Sequence, residues 1–280
     1  MTEDNTGITT ELLDVSRRRS LVADLRRIWS RRHFLWYSAV SELRAEQIDT
    51  VLGNLWHVLN PSLQVLIYFL VFGQILGVDR GVDNFLPFVG IGIFSFTFMR
   101  RVVIQGSKSL ISNQGLIQSI SFPLATLPMS VLASELVAYA SPLTVMLAVA
   151  VVTGEPITLS WLLVLPIVGL MALFSLGLAF VAARITFHVR DFQNILDFLF
   201  RMAFYFSGVI FLVDRFVADP GLRRIAKLNP FLDLLYLQRW AVMGMEIEPY
   251  VAVAAVLWSI ASVLFGYLYF RAREKDYGRD

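Results

Sequence analysis

The chain reads as an all-α integral membrane protein. Six transmembrane helices are expected, with an amphipathic helix on the membrane surface before them and two short re-entrant helices between spans five and six. Three observations predict this. Of 280 residues, 56% are hydrophobic and only 16% charged, against about 25% charged in soluble domains. Apolar runs suited to the roughly 20-residue crossing of a bilayer recur along the chain. Basic residues gather in alternate connections between those runs, and such bias sets the orientation of membrane proteins.

Residues 1–54 form a cytoplasmic N-terminal segment. Within it, "SLVADLRRIWSRRHFLWYS" sets Leu21, Leu25, Ile28 and Trp29 at helical spacing, with Arg26, Arg27, Arg31 and Arg32 on the other side. This is the pattern of a basic helix lying on the inner membrane surface. The first twenty residues contain no apolar stretch of the signal-peptide kind, so no cleaved leader is expected.

The transmembrane domain occupies residues 55–270. Runs 55–78, 161–183 and 250–270 hold no Asp, Glu, Lys or Arg. Run 85–99 is shorter and reaches membrane length if Arg100 and Arg101 snorkel while the helix continues through residues 102–104. Run 124–152 contains Glu135, and run 195–213 contains Asp197 and Arg201 near its start. Residues 271–280 form a cytoplasmic tail.

Six spans put both termini on one side. With both ends inside, 18 Lys and Arg fall on the cytoplasmic side and 6 on the outer side. The positive-inside rule therefore places both ends in the cytoplasm. Five of the outer six lie in residues 214–249, around the stretch "KLNPF". The Asn-Pro step there breaks a helix, while the residues on either side have helical character.

The composition excludes several chemistries. There are no cysteines, hence no disulfide and no thiolate metal site. His33, His57 and His188 are scattered without metal-ligand spacing. "GSKS" at residues 106–109 lacks the rest of a phosphate-binding loop and has no strand before it, so ATP cannot be hydrolysed by that route. Asp197 and Arg201, spaced i and i+4, suit a local helix pair. Glu135 either sits structurally near the headgroups or faces a polar pathway. A proton-coupled carrier would place more ionisable groups deep in its spans.

The stretch "SELRAEQIDTVLGNLWHVLNPSLQVLIYFLVFGQIL" resembles the opening of the membrane subunits of type-2 ATP-binding-cassette polysaccharide exporters, through Thr50, Leu52, Gly53, Trp56 and Pro61. Further similar blocks follow in order: Ser112-Asn113, Phe122-Pro123 and Leu127-Pro128, then Arg190-Asp191, then "KLNPF". Within that family the sequence looks most like the mycobacterial-type exporter of lipid-linked galactan, or an O-antigen exporter. It departs from relatives at Ala138-Tyr139, where an acid often precedes the aromatic. The acid here is Glu135.

The resemblance implies a homodimer of permeases above two nucleotide-binding ATPase subunits, which bind the ATP and Mg. No cofactor is expected in this chain, and no nucleic acid partner. Residues 106–122 would be the loop coupling to the ATPase, through Ser112, Asn113, Gln114 and Gln118. The 214–249 connection would dip into the outer leaflet, with Asn229, Pro230 and Phe231 as its gate.

Aromatic faces can carry passing sugars. Trp56, Tyr68, Phe69 and Phe72 in the first span, and Phe198, Tyr205 and Phe206 in the fifth, are candidate channel linings. Arg44, Arg100, Arg101 and Arg190 are candidates to meet a diphosphate at the cytoplasmic mouth. The implied cargo is a polyprenyl-diphosphate-linked polysaccharide, galactan first, carried across a bacterial cytoplasmic membrane. An exporter of a drug or small lipid would share fold and partner, and a non-transporting scaffold would need no ATPase.

Overall fold

The computed structural model describes residues 56–68, 70–71, 82–119, 122–213, 219, 221 and 226–273. The N-terminal amphipathic segment, Arg44, Phe69 and Phe72 lie outside these. In chain order the helices are α1 (Trp56–Tyr68), α2 (Phe85–Ser112), α3 (Gln114–Ser119), α4 (Thr126–Val152), α5 (Val164–His188), α6 (Phe192–Phe206), α7 (Pro230–Met243) and α8 (Pro249–Arg271). A 3-10 turn, Leu159–Leu163, leads into α5. No strand occurs among the described residues.

Four helical segments are long and apolar enough to cross a membrane: Phe85–Ser112, Thr126–Val152, Leu159–His188 and Pro249–Arg271. The shortest expected run is thus the longest of the α-helices. At 1.5 Å per residue, α2 extends for about 42 Å. It is also the central helix, with 78% of its apolar window buried, against 22% for α4 and α8. Those two present most of their surface outward, as apolar helices facing lipid do.

Among the described residues, the expected fifth span is not one continuous helix, and run 55–78 is described only at 56–68 and 70–71. α1 covers only part of run 55–78. α6 starts three residues before run 195–213 and stops at Phe206, because Ser207 and Gly208 turn the chain, Gly208 with φ +60°. Its 15 residues reach about 22 Å, short of a roughly 30 Å hydrocarbon core.

Packing is tightest where side chains are smallest. A Cβ on Gly177 of α5 would lie 2.2 Å from the backbone of Ser262 in α8, and one on Gly266 would lie 2.1 Å from the Gly177 carbonyl oxygen. The two backbones approach as small residues permit in membrane helices, and Ser262 donates its hydroxyl to the Phe174 carbonyl at 2.8 Å. At the far end of α2, Asn84 Nδ2 donates to Thr153 and Glu155 (2.9–3.2 Å), fastening the start of α2 to the end of α4.

In "KLNPF" the Asn-Pro step is the start of α7. Asn229 caps it, accepting from the Phe231 amide at 3.0 Å, and Pro230 supplies the fixed φ favoured at the first helical position. Asn229 Nδ2 also donates to the Phe206 carbonyl and the Ser207 hydroxyl, both at 3.2 Å. One side chain thus starts α7 and closes α6. The start of α7 lies inside the protein, with the Phe231 ring against Phe96, Phe174 and Phe200. Its end lies beside the 3-10 turn, where Ser160 and Trp161 donate to the carbonyls of Ala241 and Val242.

Candidate functional site: a charged belt and polar cavity

Arg100 and Arg101 are neighbours on α2, so they point about 100° apart and reach different helices. Arg100 pairs with Asp197 of α6 at 2.9 Å, both side chains about 40% exposed. Arg101 pairs with Glu135 of α4 at 2.9 Å, with Glu135 only 8% exposed. The expected Asp197–Arg201 pair is replaced. Asp197 spends its carboxylate on Arg100, and Arg201 Nε reaches only the Asp197 backbone carbonyl, at 3.3 Å. The interhelical guanidinium is the better partner because it meets the carboxylate itself in a charge-assisted bond.

The Arg101–Glu135 pair forms part of the wall of a cavity of about 210 Å³ between α2 and α4. Arg101, Gln105, Lys108 and Ser112 line it at spacings of four, three and four, one stripe of the α2 surface. Ser134 and Glu135 face them from α4. Two cations and one carboxylate leave the lining net positive, and the Lys108 ammonium has no hydrogen-bond or ion-pair partner among the described residues. Such a cavity can take a group bearing an anionic oxygen, with water around it.

Of the candidate coupling residues, Ser112 and Asn113 line this cavity. Asn113 closes α2, its Nδ2 donating to the Ser109 carbonyl at 2.9 Å. Gln114 opens α3, and Gln118 is exposed on it. The segment expected as a loop, 106–122, is therefore mostly helical. Residues 106–112 are the last two turns of α2, and 114–119 form α3. The buried apolar face of α2 continues through Leu110, which carries the helix past the expected loop start.

Arg190 is exposed in the turn between α5 and α6. Phe198, Tyr205 and Phe206 are exposed on α6, at 56%, 62% and 70%. Trp56 begins α1 half-buried, and Tyr68 ends it. Asn229, Pro230 and Phe231 form the start of α7 described above.

Sequence reasoning missed Arg239. It is fully buried and donates to the carbonyls of Phe88, Gly208 and Val209 at 2.7–3.4 Å, with its guanidinium 3.5 Å over the Phe88 ring. It satisfies backbone groups freed where the chain turns after α6. Gly92 makes room for it, since a Cβ there would lie 2.6 Å from Arg239 Nη2. Next to it Ser95, Tyr139 and Gln238 bond one another at 2.6–3.3 Å in the buried core. A lone Arg four residues from the end of a short helix carried no signal beyond its charge, which the topology count assigned to the outer side.

Four membrane-length apolar helices, with charged pairs joining one of them to its neighbours, describe a multi-span integral membrane protein. The chain belongs to the ABC-2 type transporter family, whose model matches residues 36–243. It is 28% identical over 248 residues to the O-antigen export system permease protein RfbA of Myxococcus xanthus, covering 85% of this chain and 94% of that one. It is 24% identical to the protein of the same name from Klebsiella pneumoniae over 62% of this chain and 66% of that one. Identity to the polysialic acid transport protein KpsM of Escherichia coli is 23%, over 80% and 87% of the two chains.

Proposed function

We propose that this chain is the membrane half of an ATP-driven exporter that carries a lipid-linked polysaccharide across the bacterial cytoplasmic membrane. The observation that carries this is the near full-length similarity to a protein named as an O-antigen export permease, in a chain with no ATP site of its own. The similarity to a polysialic acid transport protein points to the same broad class of cargo. Galactan on a polyprenyl diphosphate is the preferred cargo.

The chain acts as a homodimer, with two nucleotide-binding subunits supplying ATP and Mg, and both termini in the cytoplasm. The belt of Arg100, Arg101 and the cavity above Ser112 and Asn113 faces that side. There the surplus positive charge meets the diphosphate, with Arg44 and Arg190 on the approach. The α2 end, with Gln114 and Gln118 of α3, docks on the ATPase. α7 serves as the re-entrant gate of the outer half, its start held inside the protein where a helix break is tolerated.

Depleting the chain in its native cell tests this. Lipid-linked glycan is expected to accumulate in the cytoplasmic leaflet while newly labelled polymer at the wall falls. Unchanged glycan on both sides would rule the proposal out and leave a drug or small-lipid exporter.

A further inference from the structure

Where α5 and α8 end side by side, one guanidinium is fixed in place and left uncompensated. Arg184 stands in the last turns of α5, about 6 Å from its end. Its guanidinium lies 3.8 Å over the Tyr269 ring of α8, and its Nη1 donates to the Tyr269 carbonyl. That carbonyl belongs to the last turn of α8, where acceptors have no amide of their own helix to bond. The Tyr269 ring in turn stacks on Phe265, with centroids 5.9 Å apart and planes at 17°.

Neither contact neutralises the charge. Among the described residues Arg184 has no ion pair, and its Nε and Nη2 make no hydrogen bond. Arg190, Arg271 and Arg273 lie at the same helix ends, where Asp191 is the one acid among the described residues. Four arginines against one aspartate leave a surplus of three positive charges. About one turn deeper, Leu264, Phe265 and Leu268 of α8 are 52–64% exposed. The arginine and its ring therefore sit at the end of an outward-facing apolar surface, at the depth where hydrocarbon gives way to headgroups.

We propose that this arginine-rich end of α5 and α8 binds the phosphate of an anionic phospholipid, with Arg184 as the central donor and the exposed face of α8 as the bed of its acyl chains. A guanidinium matches phosphate oxygens through paired N–H groups. Anionic lipid is drawn to arginines at the cytoplasmic surface, which is where the positive-inside rule puts these four. The bed of apolar side chains on an outward face suits a resident membrane lipid. The bound phosphate neutralises charge that the two helix ends share, and so steadies their packing. The site shares no residue with the cavity between α2 and α4, and it does not depend on what the exporter carries.

The full chain, purified with its ATPase subunit in a neutral detergent, allows two tests. A photoactivatable phosphatidylglycerol is expected to crosslink to residues 264–268, with photoactivatable phosphatidylcholine giving at most about a fifth of the yield. Equal yields from the two lipids, or no crosslinks there, would overturn the proposal. Displacement by a polyprenyl phosphate at a concentration where unlabelled phosphatidylglycerol is ineffective would overturn it too, giving the site to the cargo.

In the second test, added phosphatidylglycerol is expected to raise the melting temperature more than phosphatidylcholine does. Arg184→Gln should need about fivefold more phosphatidylglycerol for the same gain, while Arg184→Lys keeps most of the response. Arg201→Gln, at an exposed arginine of α6, should leave it unchanged. Arg184→Gln titrating like the wild type would refute the assignment. Arg201→Gln losing as much as Arg184→Gln would overturn it in favour of a general charge effect. The crosslinking uses the wild-type chain, so it decides the matter even where Arg184→Gln fails to fold.

Discussion

Arg239 shows what a single residue can hold together. Its guanidinium fans across three backbone carbonyls from two segments and lies over a ring. An ammonium on a flexible stem cannot reproduce that fork. Arg239→Lys is therefore expected to lower stability by about 2–3 kcal/mol, the scale of charge-assisted bonds lost with carbonyls left buried. A thermal melt in detergent should show a clear drop, and wild-type melting would refute the clamp. The Arg101–Glu135 pair behaves differently, because Arg101 is half exposed and Glu135 is not. Arg101→Gln takes the guanidinium away from a buried carboxylate and is expected to cost about 2 kcal/mol. Adding Glu135→Gln should return most of it, and a double mutant no more stable than the single would contradict the pairing.

At the scale of elements, two glycines of α5 make a controlled comparison. Gly177 sits against Ser262 with no room for a Cβ, whereas a Cβ on Gly169 would meet nothing within 4 Å. Gly177→Ala is expected to push α5 off α8 and destabilise by about 1–3 kcal/mol. Gly169→Ala should be neutral or gain up to about 1 kcal/mol of helix propensity. Equal melting of the two variants would mean the close approach does not matter. Asn229 gives a second test, since it both caps α7 and catches the end of α6. Asn229→Ala should lose about 1 kcal/mol for the cap and more for the two lost donations, while Asn229→Asp keeps the acceptor and should fall between.

Across the whole molecule, the helical character and the long apolar runs were legible in the sequence, because both follow from local composition and periodicity. The start of α7 was legible too, since Asn-Pro encodes a cap and a first helical residue. What the sequence hid was set by contacts between distant segments. The pairing of Asp197 with Arg100 instead of Arg201 depends on α2 passing beside α6. The end of α6 at Phe206 depends on the turn at Gly208. The buried place of Arg239 depends on the turn after α6 and the start of α2 meeting at one point. The belt's four residues stood in three separate runs, and only the fold brings them to one level.

Whether this permease moves lipid-linked polysaccharide is decided most directly by transport itself. In inside-out vesicles from native cells, labelled lipid-linked glycan on the outer face would be followed into the lumen, where added glycosidase cannot reach it. The account predicts ATP-dependent protection that disappears when this chain is depleted. Protection that is independent of ATP, or unchanged by the depletion, would contradict it.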